Sequence, residues 1–202
     1  LEQIKNSQKG TFSIKNASKS SIFSKNDDEK IVDDSLQNES RNDALIFGTM
    51  VHKLMENIIK CKDVILDDSL CENIVNEYGM SSYKDKLVSI KNTIYGGGFE
   101  QSSGIDNDIL KLAKSANALT EVPFSYKDGN KIVNGNIDLI LEFADKIVIV
   151  DYKTDVNEKD HDNQLKCYEN AVINSGMDVG KKIKTYIYNI KKWGNLWKKR
   201  KK

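Results

Sequence analysis

The sequence predicts an α/β fold, a three-layer α/β/α sandwich on a small mixed sheet. Three observations carry this. Apolar residues recur at helical spacing from residue 43 to about 116, then at a period of two from 119 to 153. A further helical segment then separates the last two strand-like runs, which makes those two strands parallel.

The elements follow in order. Residues 1–43 are rich in Ser, Asn, Lys and Asp, with isolated apolar positions, and read as a polar linker or mobile arm. Leu45, Val51, Leu54, Met55, Ile58 and Ile59 then define a helix with Asp43 as its cap. Residues 64–78 and 82–95 read as further helices, and Gly96-Gly97-Gly98 ends the second. A shorter helix follows near 106–116. Strands are expected at 119–126, 131–143 and 146–153, with Asp128-Gly129 turning the first hairpin. Pro123, the only proline, suits an edge strand. A helix at 161–174 stops before Gly176, and a last strand runs over 183–190. One domain over 44–190 is therefore expected, with 191–202 as a basic tail.

Composition narrows the function. No apolar run reaches the roughly 18–20 residues that span a bilayer, and the first residues are polar, so neither membrane span nor secretory signal is expected. Cys61, Cys71 and Cys167 form no CxxC pair, which points to a reducing, cytoplasmic setting. The chain begins without Met, and we expect it to be a piece of a longer protein. The net charge of +1 hides a dipole: residues 181–202 hold ten Lys or Arg and no acid, leaving 21 basic against 30 acidic residues in 1–180. That basic end, with Trp193 and Trp197, reads either as a grip on a phosphate backbone or as a solvated tail.

Two acids carry the chemistry. Pairing Phe143 with Lys146 across the second hairpin sets Asp138 opposite Asp151 on one face, with Cβ atoms about 4.5–5.5 Å apart. Opposed like charges destabilise a sheet, and a divalent cation offsets them; hard oxygen ligands suit Mg²⁺ or Mn²⁺. Lys153 lies one step along the same face. Glu121 joins that face, opposite Asn136, if the first hairpin turns at Asp128-Gly129. Ile147 and Ile149 share a face with Asp151 while Val148 and Val150 take the other, so this strand reads as central and buried on both sides. From the residues alone, His52 is read either as a core histidine or as a ligand. Glu121 is read as a supporting acid or a plain edge residue. Gln164 and Tyr168, four apart, share a helix face. His161, among acids, reads as solvent-facing, and Tyr126, Tyr186 and Tyr188 read as packing residues.

These residues resemble the PD-(D/E)XK nucleases. Gly135-Asn136-Ile137-Asp138 followed by Asp151-Tyr152-Lys153-Thr154 carries the likeness. Gly48-Thr49-Met50-Val51-His52 is similar to the GxxxH helix of the RecB-like branch, Glu121-Val122-Pro123-Phe124 to its first-strand motif, and Gln164 with Tyr168 to its QxxxY motif. The resemblance implies a restriction-endonuclease-like core and metal-dependent hydrolysis of DNA. It implies catalytic Asp138, Asp151 and Lys153, metal ligands His52, Asp138 and Asp151, and supporting Glu121, Gln164 and Tyr168. The cation would be Mg²⁺ or Mn²⁺. The cysteines do not match the four-cysteine pattern of iron–sulfur relatives, so no cluster is expected. The implied setting is the C-terminal, exonuclease domain of an AddA/RecB-type helicase–nuclease in double-strand break repair. Its partners would be single-stranded ends or unwound duplex DNA, a motor in the same chain and a second subunit. A stand-alone phage or defence nuclease and an inactive binding module are the alternatives.

Overall fold

Buried apolar residues at helical spacing build one side of the molecule, and alternating ones build its sheet. The computed structural model describes residues 13–16, 34–154 and 161–190. Helix α1 (Asp34–Lys60) buries Met50, Val51, Leu54, Met55, Ile58 and Ile59. Against it pack α2 (Ser69–Glu77), a single 3₁₀ turn (Ser81–Tyr83), α3 (Lys84–Tyr95) and α4 (Ile109–Lys114). Each fully buried apolar side chain contributes about 1.5–3 kcal/mol, and this helical cluster is where most of them gather.

The sheet has strands β1 (Ser13–Asn16), β2 (Asn117–Asp128), β3 (Lys131–Glu142), β4 (Lys146–Lys153) and β5 (Lys182–Asn189). Helix α5 (Asp162–Ser175) crosses from β4 to β5, and those two strands are parallel as the sequence predicts. Gly176 ends α5 in the left-handed region, φ 72°. Val148, Val150 and Tyr152 face the cluster of α1 to α4. Ile147 and Ile149 face Tyr168, Ala171 and Val172 of α5. The sheet thus lies between two helical layers, with β4 buried on both faces.

Two differences concern the N-terminal arm. Helix α1 begins at Asp34, nine residues before the expected cap Asp43, and Ser13–Asn16 pairs as a parallel strand with β3. The polar run 34–42 carries no apolar period that could announce a helix. A parallel strand of four residues depends on a distant partner, which local pattern does not reveal. The basic tail 191–202 lies outside the described residues.

The first hairpin differs by one turn position. Gly129 and Asn130 make the turn, pairing Asp128 with Lys131 and Pro123 with Asn136. Gly129 takes φ 58° as the first central residue, a conformation glycine adopts without penalty. Glu121 therefore stands at the level of Asp138 rather than opposite Asn136. The shift is two residues of register, so face parity is unchanged.

The second hairpin has the expected register: Leu139 pairs with Val150 and Glu142 with Ile147. That ladder stops at Leu139–Val150, one step short of Asp138 and Asp151. One edge of β3 carries β2 along its length. Its other edge carries β1 at 131–134 and β4 at 139–142, leaving 135–138 unpaired on that side among the described residues. β3 and β4 fork at Asp138.

The loop after α3 is pinned to β5. Gly98 has φ 83°, and a Cβ there would run into the Asn107 carbonyl and the Tyr188 hydroxyl. Tyr188 Oη accepts from the Phe99 N–H at 3.0 Å and donates to the Asn107 carbonyl at 2.6 Å. Gln101 closes a two-point bond with the backbone of Asn189.

Candidate active site

The fork is accompanied by a local break in the β2–β3 ladder. Thr120–Leu139 and Val122–Ile137 pair on either side, but the Glu121–Asp138 rung is missing. Glu121 has φ 48°, the only non-glycine residue with positive φ among those described. The alternation slips here on both strands. Leu119 and Val122 face α5 together, as do Ile137 and Ile140, although each pair is an odd number of residues apart. Holding a glutamate in the left-handed region costs on the order of 1 kcal/mol, and such strain persists where surrounding structure enforces it. The slip brings both acids to His52 of α1.

His52 Nδ1 lies 3.5 Å from Asp138 Oδ1 and 3.8 Å from Glu121 Oε1. Its Nε2 lies 3.2 Å from the Tyr152 carbonyl. Asp138 Oδ2 accepts from the Tyr152 N–H at 2.7 Å, so one backbone unit of β4 is tied to both side chains. Burial alone would lower the His52 pKa; the Asp138 and Glu121 carboxylates outweigh it and raise it to about 10. The imidazolium then donates from both nitrogens, with a proton held between the acids. A neutral His52 that keeps its Nε2–H on the Tyr152 carbonyl turns the Nδ1 lone pair toward Asp138 and Glu121, the tautomer of a metal ligand.

The other half of the site faces α5. Lys153 Nζ is 2.6 Å from Asp151 Oδ2 and donates to Gln164 Oε1 at 3.0 Å. Gln164 Nε2 donates to Tyr168 Oη at 2.7 Å, and Tyr168 Oη points at Asp151 Oδ1 from 3.5 Å. Lysine, amide, phenol and carboxylate thus close a ring. Asp151 is 1% exposed, and burial, then repulsion from Asp138, push its pKa up to about 7 against the pull of Lys153. Burial also raises the pKa of Tyr168 and of Tyr152, whose buried hydroxyl has no hydrogen-bond partner among the described residues.

Both halves line one cavity of about 1360 Å³. All seven residues singled out by sequence reach it: His52, Glu121, Asp138, Asp151, Lys153, Gln164 and Tyr168. Among the described residues, His52, Glu121 and Asp138 each offer a donor atom, and these atoms lie within 4.8 Å of one another. Asp151 instead faces the Lys153 ammonium. One imidazole nitrogen and two carboxylate oxygens fit a divalent cation. His161 caps α5 half-buried, away from the cavity lining. Tyr126 and Tyr186 are half-buried packing residues and Tyr188 is fully buried. The three cysteines are free thiols. The cavity also takes in Lys53 and Tyr78, which carry no motif signal.

The family model of the PD-(D/E)XK nuclease superfamily matches residues 27–199. The chain belongs to this superfamily. No curated protein matches it. The match extends past both ends of the domain expected over 44–190, and the sandwich around the fork agrees with a restriction-endonuclease-like core. Phosphodiester hydrolysis is the activity this superfamily implies. Among the described residues no helix is long and apolar enough to cross a membrane.

Proposed function

We propose that this PD-(D/E)XK protein is a DNA nuclease that works with Mg²⁺ or Mn²⁺, Asp138, Asp151 and Lys153 being its catalytic residues. The observation that carries the reading is the fork itself, which gathers three acids, a histidine and a lysine into one cavity. His52 and Asp138 would hold the cation. Glu121 stands in the same donor group, and Asp151 would complete the set on release from Lys153. When bound, a divalent cation polarises a scissile phosphate and lowers the pKa of a water.

The chain's own residues do the rest. The Tyr152 carbonyl fixes the His52 ring, and its N–H fixes the Asp138 carboxylate. Gln164 restricts where the Lys153 ammonium can sit. From there Lys153 orients the attacking water and stabilises negative charge growing on the phosphate. The α1 layer and α5 close the site on its two sides.

The RecB-like spacing of Gly48 and His52, and of Gln164 and Tyr168, supports a narrower role: a cytoplasmic exonuclease domain of a helicase–nuclease in double-strand break repair, fed unwound strands by a motor. Cleavage of end-labelled single-stranded and duplex DNA with Mn²⁺, Mg²⁺ or EDTA, beside Asp151→Ala, tests the proposal. We expect cutting that needs a cation and is lost in the variant, with products released from ends. Cutting that persists in EDTA, or in Asp151→Ala, would sink it.

A further inference from the structure

The catalytic groups fill only part of the cavity, whose 1360 Å³ exceeds the roughly 300–1,000 Å³ of a small-molecule site. Much of the remaining wall comes from α1 and from the end of α2. Leu45, Thr49, Lys53 and Glu56 succeed one another at four, four and three residues and so form one stripe along α1. Tyr78, at the C-terminal cap of α2, adds an aromatic wall beside Lys53. The Tyr78 side chain packs against the helical core and is left partly exposed where it lines the cavity.

Charge along this wall is balanced within the protein. Lys53 Nζ lies 3.2 Å from Glu56 Oε2, Glu56 also takes Lys60 at 2.5 Å, and Glu77 adds a second acid near Lys53. A wall of matched charges is poor at attracting phosphate. Its distinctive surfaces are a phenol ring and Leu45, an apolar side chain left 71% exposed. Flat, apolar and uncharged is the complement of a nucleobase face.

We propose that Tyr78 is a stacking platform for an unpaired nucleobase, and that the substrate strand runs along the α1 stripe, passing Lys153 at the level of Gly48 and His52 on its way to Tyr78. This rests on the nuclease reading of the site and names its substrate as single-stranded DNA. From Leu45 to Glu56 the helix rises about 16 Å, the length of roughly five stacked nucleotides at about 3.4 Å each. A base inside a duplex already has both faces covered, so an aromatic platform selects unpaired ones.

The test is binding of a fluorescein-labelled single-stranded 12-mer, by anisotropy with Mn²⁺, in a Lys153→Ala background that prevents cutting. Tyr78→Leu keeps an apolar side chain against the core but removes the ring; Tyr78→Phe keeps the ring. We expect Tyr78→Leu to weaken binding about tenfold or more and Tyr78→Phe to bind like Tyr78. A 12-mer whose bases are replaced by abasic sites should bind Tyr78 and Tyr78→Leu proteins equally. Equal binding of the intact 12-mer by the two, or a loss that persists on the abasic strand, overturns the proposal. If the protein with Lys153 intact still cuts DNA in that case, the stacking site alone has failed. If it neither cuts nor binds DNA, the nuclease reading has failed with it.

Discussion

Asp138 accepts the Tyr152 backbone N–H at 2.7 Å where the β3–β4 ladder has already ended. The carboxylate replaces the next rung: it satisfies a buried donor that β3 no longer reaches, and holds its second oxygen toward His52. Asp138→Ala should leave that N–H unsatisfied and cost about 1–3 kcal/mol of stability by chemical denaturation in EDTA. Asp138→Asn keeps an acceptor, so we expect it to unfold within about 1 kcal/mol of wild type while losing cleavage. Equal stability of the alanine variant would show that the bond does not organise the fork.

Asp151 is the strained partner. It is buried, faces Asp138 and has its pKa pushed up to about 7, so above that pH its charge opposes folding. Asp151→Asn should therefore raise the melting temperature of the cation-free protein at pH 8 while cleavage disappears. The gain should shrink at pH 5, where wild-type Asp151 is already protonated. A variant less stable than wild type at pH 8 would show that the Lys153 ion pair outweighs burial and repulsion.

The same pKa shifts link cation binding to protons. His52, raised to about 10, holds a proton at neutral pH, and Asp151 is near half-protonated at pH 7. Both must deprotonate to act as ligands. Binding of Mn²⁺ should release between one and two protons and tighten about tenfold or more from pH 6 to pH 8. Calorimetry in two buffers of different ionisation enthalpy reads the proton count directly. For folding without cation, both groups have native pKa values above their unfolded ones. The His52 contribution is complete below about 6.5 and lost as pH rises through about 10; that of Asp151 is complete below about 4 and lost through about 7. Stability in EDTA should accordingly fall from pH 6 to pH 9.

Gln164 sets the direction of the α5-side ring. Its oxygen accepts from Lys153 and its nitrogen donates to Tyr168, which leaves the phenol proton to face Asp151. Gln164→Glu has no donor for Tyr168, so the phenol turns to the new carboxylate and Asp151 loses it. We expect kcat to fall about 10- to 100-fold in Gln164→Glu with KM for DNA little changed. A rise in KM at constant kcat would instead assign Gln164 to strand binding.

How much of this was legible in the sequence depends on what fixes each feature. The second hairpin was legible because its even turn at Ala144-Asp145 admits one register that buries Ile147, Ile149, Val148 and Val150 on the proper faces. The first was not, because turns at Asp128-Gly129 and Gly129-Asn130 differ by two in register and bury the same face. Only the eleven-pair ladder of β2 with β3 chooses between them. The ladder break at Glu121 is backbone strain enforced by tertiary contacts, and nothing in Thr120-Glu121-Val122 announces it. Tyr78 escaped notice for the same reason: it reaches the cavity through the packing of α2 on α1, not through any spacing from His52. The motif residues were legible because their chemistry needs fixed offsets on regular elements.

We propose that the Lys153 ammonium at the β3–β4 fork acts on phosphodiester cleavage. Single-turnover cleavage of labelled single-stranded DNA at saturating Mn²⁺, by wild type and Lys153→Ala, tests it most directly. We predict a rate about 100- to 1000-fold lower in the variant, with Mn²⁺ still bound and the melting temperature unchanged within a few degrees. Cleavage by Lys153→Ala at the wild-type rate would show that Lys153 is not catalytic.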